Sequence, residues 1–132
     1  MTYMEADRGG LNEQDRAKLD QVMWTVIRYV NSHVGTVTSA SVGDTMAMIA
    51  APDVKFFMGF NFTNLGGLSV PTVQNIDLGS MKGQQHGPKI INVWETAQSN
   101  SAAFGANVVT NSKFWGGLGY RPYSGSLWLK RI

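Results

Sequence analysis

Apolar side chains recur at intervals of three and four from Leu19 to Val34: Leu19, Val22, Met23, Val26, Ile27, Val30, then His33 or Val34. That is the period of an α-helix with one apolar face. Asn12 stands where an N-cap belongs, and Glu13 and Asp15 in the first turn suit the positive end of the helix dipole. Gly35 ends the run. The predicted helix has about 22 residues and measures roughly 33 Å at 1.5 Å per residue. Leu19, Val22, Val26, Tyr29 and His33 also fit heptad positions, so this face predicts an oligomer interface between helices.

Beyond Gly35 the pattern turns to β. Thr36–Val42 is β-branched and small, and in Val54–Phe62 the residues Val54, Phe56, Met58, Phe60 and Phe62 alternate with the opposite face. Asn64–Gly67 predicts a turn. Leu68–Val70 runs into Pro71, which suggests an edge or a strand end, and Val73–Leu78 predicts a further strand. Gly79–Pro88 reads as an exposed polar loop, Lys89–Glu95 as a strand, and Thr96–Ala103 as a loop or short helical turn. Val108–Thr110, Lys113–Tyr120 and Ser126–Ile132 complete the strand candidates, with turns at Gly116-Gly117 and Pro122–Gly125. The fold class is α+β: one N-terminal amphipathic helix (11–34), then an antiparallel β-sandwich or small barrel-like domain (35–132). Residues 1–10 read as a flexible or docking arm that ends on Gly9-Gly10.

Composition narrows the chemistry. The chain has 132 residues, enough for one modest core, and no cysteine, which removes disulfides, thiolate metal sites and cysteine nucleophiles. Its charged fraction is 15%, below the ~25% of average domains. The few charges are unevenly placed. Residues 1–20 carry five acids against three bases, residues 21–95 balance at four of each, and residues 96–132 carry four bases and no acid. No run approaches the ~18 apolar residues of a membrane span, and Met1–Gly10 lacks the apolar stretch of a secretory signal.

The candidate sites are few. His33 suits a helix C-terminus, and His86 lies in the polar loop, so the two histidines predict no metal centre. Of the carboxylates, Asp44 and Asp53 sit in turn contexts, which leaves Glu95 or Asp77 for a hydrolase. There is no Gly-x-Ser-x-Gly elbow, and Gly116–Gly119 lacks the Lys-Ser or Lys-Thr of a phosphate loop. No catalytic residue and no cofactor is expected. The strongest constellation is C-terminal, where Phe104, Phe114, Trp115, Tyr120, Tyr123 and Trp128 interleave with Lys113, Arg121, Lys130 and Arg131. Trp115, Tyr120, Arg121 and Tyr123 form the candidate ligand-binding set. Such rings cover the apolar faces of sugars while Asn107, Asn111, Ser112, Ser124 and Ser126 bond hydroxyls; the same rings also serve as core or subunit interface. Four bases over 37 residues are too few for a dedicated nucleic-acid surface.

A polar arm, an amphipathic helix at Leu19–His33, a long strand at Val54–Phe62 and a terminal strand at Ser126–Ile132 make up a plan. That plan resembles small trimeric bacteriophage virion proteins: head fibres, tail-fibre or spike tips, and capsid decoration proteins. The resemblance covers the whole chain as architecture and carries no residue roles with it. It implies a non-enzymatic structural protein of a homo-oligomer, a trimer by analogy, located in a virion and joined to a larger assembly protein through the arm and helix. The alternative is a glycan- or cell-surface-binding module that uses the C-terminal aromatic residues.

Overall fold

The computed structural model describes residues 11–79 and 86–131. The expected arm (1–10), residues 80–85 of the expected loop and Ile132 lie outside the described residues. The fold is α+β. Helix α1 (Glu13–His33) is followed by strands β1 (Ser39–Val42) and β2 (Ala47–Ala51) and a 3-10 turn at Pro52–Val54. Strands β3 (Phe56–Leu65) and β4 (Leu68–Asp77) form a long hairpin. Helix α2 (His86–Thr96), β5 (Ala103–Asn107), the short helix α3 (Ser112–Gly117), β6 (Arg121–Ser124) and β7 (Leu127–Arg131) complete the chain. No described helix is long and apolar enough to cross a membrane.

Helix α1 forms where the sequence signals place it. The Asn12 side chain accepts from the Asp15 backbone N–H at 2.8 Å, and Gly35 N–H returns to the Val30 carbonyl at 3.0 Å. At its end His33 stacks on Tyr29, ring centroids 4.6 Å apart, and its Nδ1 sits 3.2 Å from the Tyr29 carbonyl oxygen. The apolar stripe does not form a free seam, however. Leu19, Val22, Met23, Val26, Ile27 and Val30 are all buried against the chain's own β-sheet and α2. Each such burial contributes about 1.5–3 kcal/mol. Of the five expected interface residues, Leu19, Val22 and Val26 are therefore interior, and only Tyr29 and His33 keep surface. Helix and sheet share one core.

Among the described residues seven strands make a single open sheet in the order β1-β2-β3-β4-β5-β7-β6, in place of the expected sandwich or barrel. Five of its pairings are antiparallel; β4 and β5 alone run parallel, with Thr72 opposite Gly105 and Val73 opposite Ala106. One face carries the large core, built from the helices together with Ile49, Phe56, Met58, Phe60, Val73, Phe104 and Ala106. The other face has a smaller cluster of strand residues only, Val70, Ala103 and Leu129, with Leu65 and Leu127 against it.

Several segments depart from the expected elements. Lys89–Glu95 is not a strand but the body of α2: Gly87, Ile90, Ile91 and Trp94 fall on one helical face and bury together. The expected loop to Pro88 ends early, because His86–Pro88 is the first turn of that helix, where a proline lacks nothing by having no N–H. The strand expected from Val54 starts at Phe56, after Lys55 turns through positive φ. Leu68–Val70 and Val73–Asp77 are one strand, with Pro71 inside it just before the pairing with β5 begins, and Leu78 lies beyond its end. Lys113–Tyr120 holds α3 instead of a strand, and Val108–Thr110 lies beyond the end of β5.

Trp94 sits at the centre of the core, fully buried, 6.2 Å from the Phe60 ring on β3 and 5.5 Å from the Phe104 ring on β5. Trp94→Ala is expected to lower unfolding free energy by about 3–5 kcal/mol in urea titration. Leu68→Ala, at the exposed end of the β3–β4 hairpin, is expected to change it by under about 0.5 kcal/mol.

Candidate functional site

The four aromatic and basic residues singled out at the C-terminus separate into different environments. Trp115 and Tyr120 are 3% and 0% exposed and pack edge to face, centroids 4.9 Å apart. They are core residues, so neither is the open aromatic platform expected. The reason is α3: a six-residue helix turns Trp115 inward, and the chain reverses at Gly119 to bring Tyr120 back against it. Arg121 clamps this reversal, its Nη1 donating to the Gly116 and Tyr120 carbonyls at 2.9 Å each. Arg121 is exposed as well, and of the aromatic residues in the set Tyr123 alone remains open, 54% exposed on β6.

Beneath them lies a small polar network that joins α2 to the C-terminal strands. The Tyr120 hydroxyl donates to Glu95 Oε2 at 2.7 Å, and Lys130 Nζ donates to Glu95 Oε1 at 2.9 Å. The Lys130 ammonium also stands 5.9 Å from the centre of the Tyr120 ring. Both carboxylate oxygens are thus engaged, which is how a buried carboxylate is tolerated. Glu95 is held as a structural tie. Asp77, the other carboxylate weighed for hydrolysis, accepts from the Gly79 N–H at 2.9 Å in a turn. Among the described residues no three His, Asp or Glu side chains come together.

A concave polar site opens elsewhere, where the parallel strands β4 and β5 part. A register shift between Gly59 and Phe60 leaves Gln74 as an extra residue on β4, and beyond Asn107 the chain leaves β5 for α3. The gap between them is a cleft of about 240 Å3. Gln74, Asn75 and Ile76 line one wall; Asn107, Thr110 and Asn111 line the other, with Val109 and Trp115 completing it. None of these eight residues is ionisable. The amides are tied into a chain: Asn61 Nδ2 donates to the Thr45 carbonyl (3.1 Å), Gln74 Nε2 to Asn61 Oδ1 (3.0 Å), and Asn107 Nδ2 to the Gln74 carbonyl (3.4 Å). Asn111 adopts a left-handed conformation, φ 62°, and its side chain makes no capping bond to α3.

Asn107 and Asn111 were marked by the sequence as hydroxyl-bonding groups near aromatic residues, and the structure brings both to this cleft beside Trp115. Ser112, Ser124 and Ser126 are not among its lining residues. Gln74 and Asn75 carry no sequence signal, since only the bulge and the parallel pairing place them there. No known family model matches this chain. No curated protein is significantly similar to it.

The Tyr120 phenol is held protonated well above its ordinary pKa of 10.0, first by burial, then by its hydrogen bond to Glu95 and that group's negative charge. The unfolded chain releases this proton near pH 10 and the folded chain does not. The resulting stability is therefore fully present below about pH 10 and declines as pH rises above it. Tyr120→Phe is expected to lower stability at pH 7 by about 1–3 kcal/mol and to flatten that alkaline decline, both read from urea unfolding between pH 7 and 11.

Proposed function

We propose that this chain is a non-enzymatic structural component of a homo-oligomeric assembly, of the kind found in virion fibres, spikes or capsid decoration. The observation that supports this reading is the outward face of α1. Although the helix buries a full apolar stripe inside the chain, it presents Trp24 with 51% of its surface exposed. Tryptophan in that position is typical of an interface anchor. Asp20 and Arg28 stand one turn to either side of it, with Ala17 and Asn31 beyond, all exposed. A second copy of the helix laid antiparallel, with its tryptophan against the first, sets each Asp20 opposite the partner's Arg28. Such a face is self-complementary, as an interface between identical subunits must be.

Light scattering coupled to size-exclusion chromatography tests this on the full chain. The expected result is a mass at a multiple of 14.4 kDa at micromolar concentration. Trp24→Glu is expected to reduce it to the monomer with unchanged circular dichroism. Arg28→Asp should weaken assembly, and adding Asp20→Arg should restore it. A monomeric wild-type chain contradicts the proposal. Assembly indifferent to Trp24→Glu removes α1 from the interface.

A further inference from the structure

We infer that the cleft between the diverging ends of β4 and β5 binds a small neutral polyhydroxylated ligand, a single sugar ring in size. This does not rest on the assembly proposed above and stands on the cleft alone. Among the described residues its walls carry no charge, so an anion or cation leaving water would find no counter-charge on them. An apolar ligand is equally disfavoured, because it would strip water from carboxamides without giving them partners. A carboxamide offers a donor and an acceptor side by side, which matches adjacent hydroxyls that both give and take hydrogen bonds.

The geometry is prepared for this. Gln74 Nε2 is anchored on Asn61 and Asn107 Nδ2 on the Gln74 backbone carbonyl, so both carboxamides are held at the cleft wall and their oxygens, Gln74 Oε1 and Asn107 Oδ1, remain as acceptors. Among the described residues neither oxygen has a donor. Asn111 and Thr110 stand opposite with no described side-chain hydrogen bond, and Val109, 80% exposed, gives the mouth an apolar edge for C–H groups. At about 240 Å3 the cleft lies below the ~300–1,000 Å3 of drug-sized sites, which limits the ligand to roughly one ring. A peptide strand is the rival occupant of a gap beside a sheet. It is disfavoured because the Asn107 side chain already takes the Gln74 carbonyl that an added strand would use.

The test is an NMR titration of the 15N-labelled full chain with D-glucose, D-galactose, D-mannose and N-acetyl-D-glucosamine, each taken into the millimolar range. N-acetylalaninamide serves as the peptide probe. The expected result is saturable shifts for at least one sugar in the side-chain NH2 signals of Gln74, Asn107 and Asn111. Asn111→Gly removes a carboxamide while keeping a residue suited to positive φ, and should weaken that sugar about tenfold, the equivalent of one to two hydrogen bonds. Tyr123→Ala, outside the cleft, should leave the affinity unchanged. No saturable shift with any sugar overturns the inference. So does sugar binding indifferent to Asn111→Gly, or tighter binding of the peptide probe at the same signals.

Discussion

The sheet depends on a seam two residues long. Between the four N-terminal strands and the three C-terminal ones the ladder is only Thr72–Gly105 and Val73–Ala106, the sheet's one parallel contact. Gly105 makes it possible: a Cβ there would lie 2.8 Å from Thr72 Oγ1, closer than packing allows. The contact is reinforced from above, where α2 lays Trp94 between Phe60 on one side of the seam and Phe104 on the other. Tyr120 and Lys130 then fasten the C-terminal strands to the same helix through Glu95.

The cleft and the exposed face of α1 follow from that arrangement. A parallel pair so short leaves the two strands free to part just beyond it, and the Gln74 bulge widens the gap into a polar cleft. Such crevices at the carboxyl ends of parallel strands are recurrent places for ligands in mixed folds. The burial of α1 has the opposite effect on the helix: its long apolar stripe is used within the chain, which leaves Trp24 and its flanking charges as the exposed face of the helix.

The α+β class and the first helix were legible because their signals are local. The period of three and four, the Asn12 cap and the Gly35 stop all act within a few residues of one another. The second helix is ambiguous in the sequence. Ile90, Ile91 and Val93 favour strands by side-chain shape, yet Gly87, Ile90, Ile91 and Trp94 already carried the helical spacing. Strand β5 was invisible for the reverse reason: Ala103–Asn107 has no β-branched residue, and its small residues answer to the seam instead. The aromatic residues of the C-terminus drew attention as a ligand platform, but aromatic character alone does not distinguish platform from core, and Trp115 and Tyr120 are core. Half of the cleft's amides could be marked from sequence. The other half, Gln74 and Asn75, reach it only through a bulge and a tertiary pairing.

Native-state hydrogen exchange at the seam tests this account most directly. If the short ladder, Gly105 and Trp94 bind the two halves into one cooperative unit, the amides of Phe104, Gly105 and Ala106 will exchange with the same free energy as those of Met58 and Phe60 in β3. Seam amides that exchange through a distinctly smaller opening, while β3 stays protected, would show that the C-terminal strands detach alone. That result would contradict it.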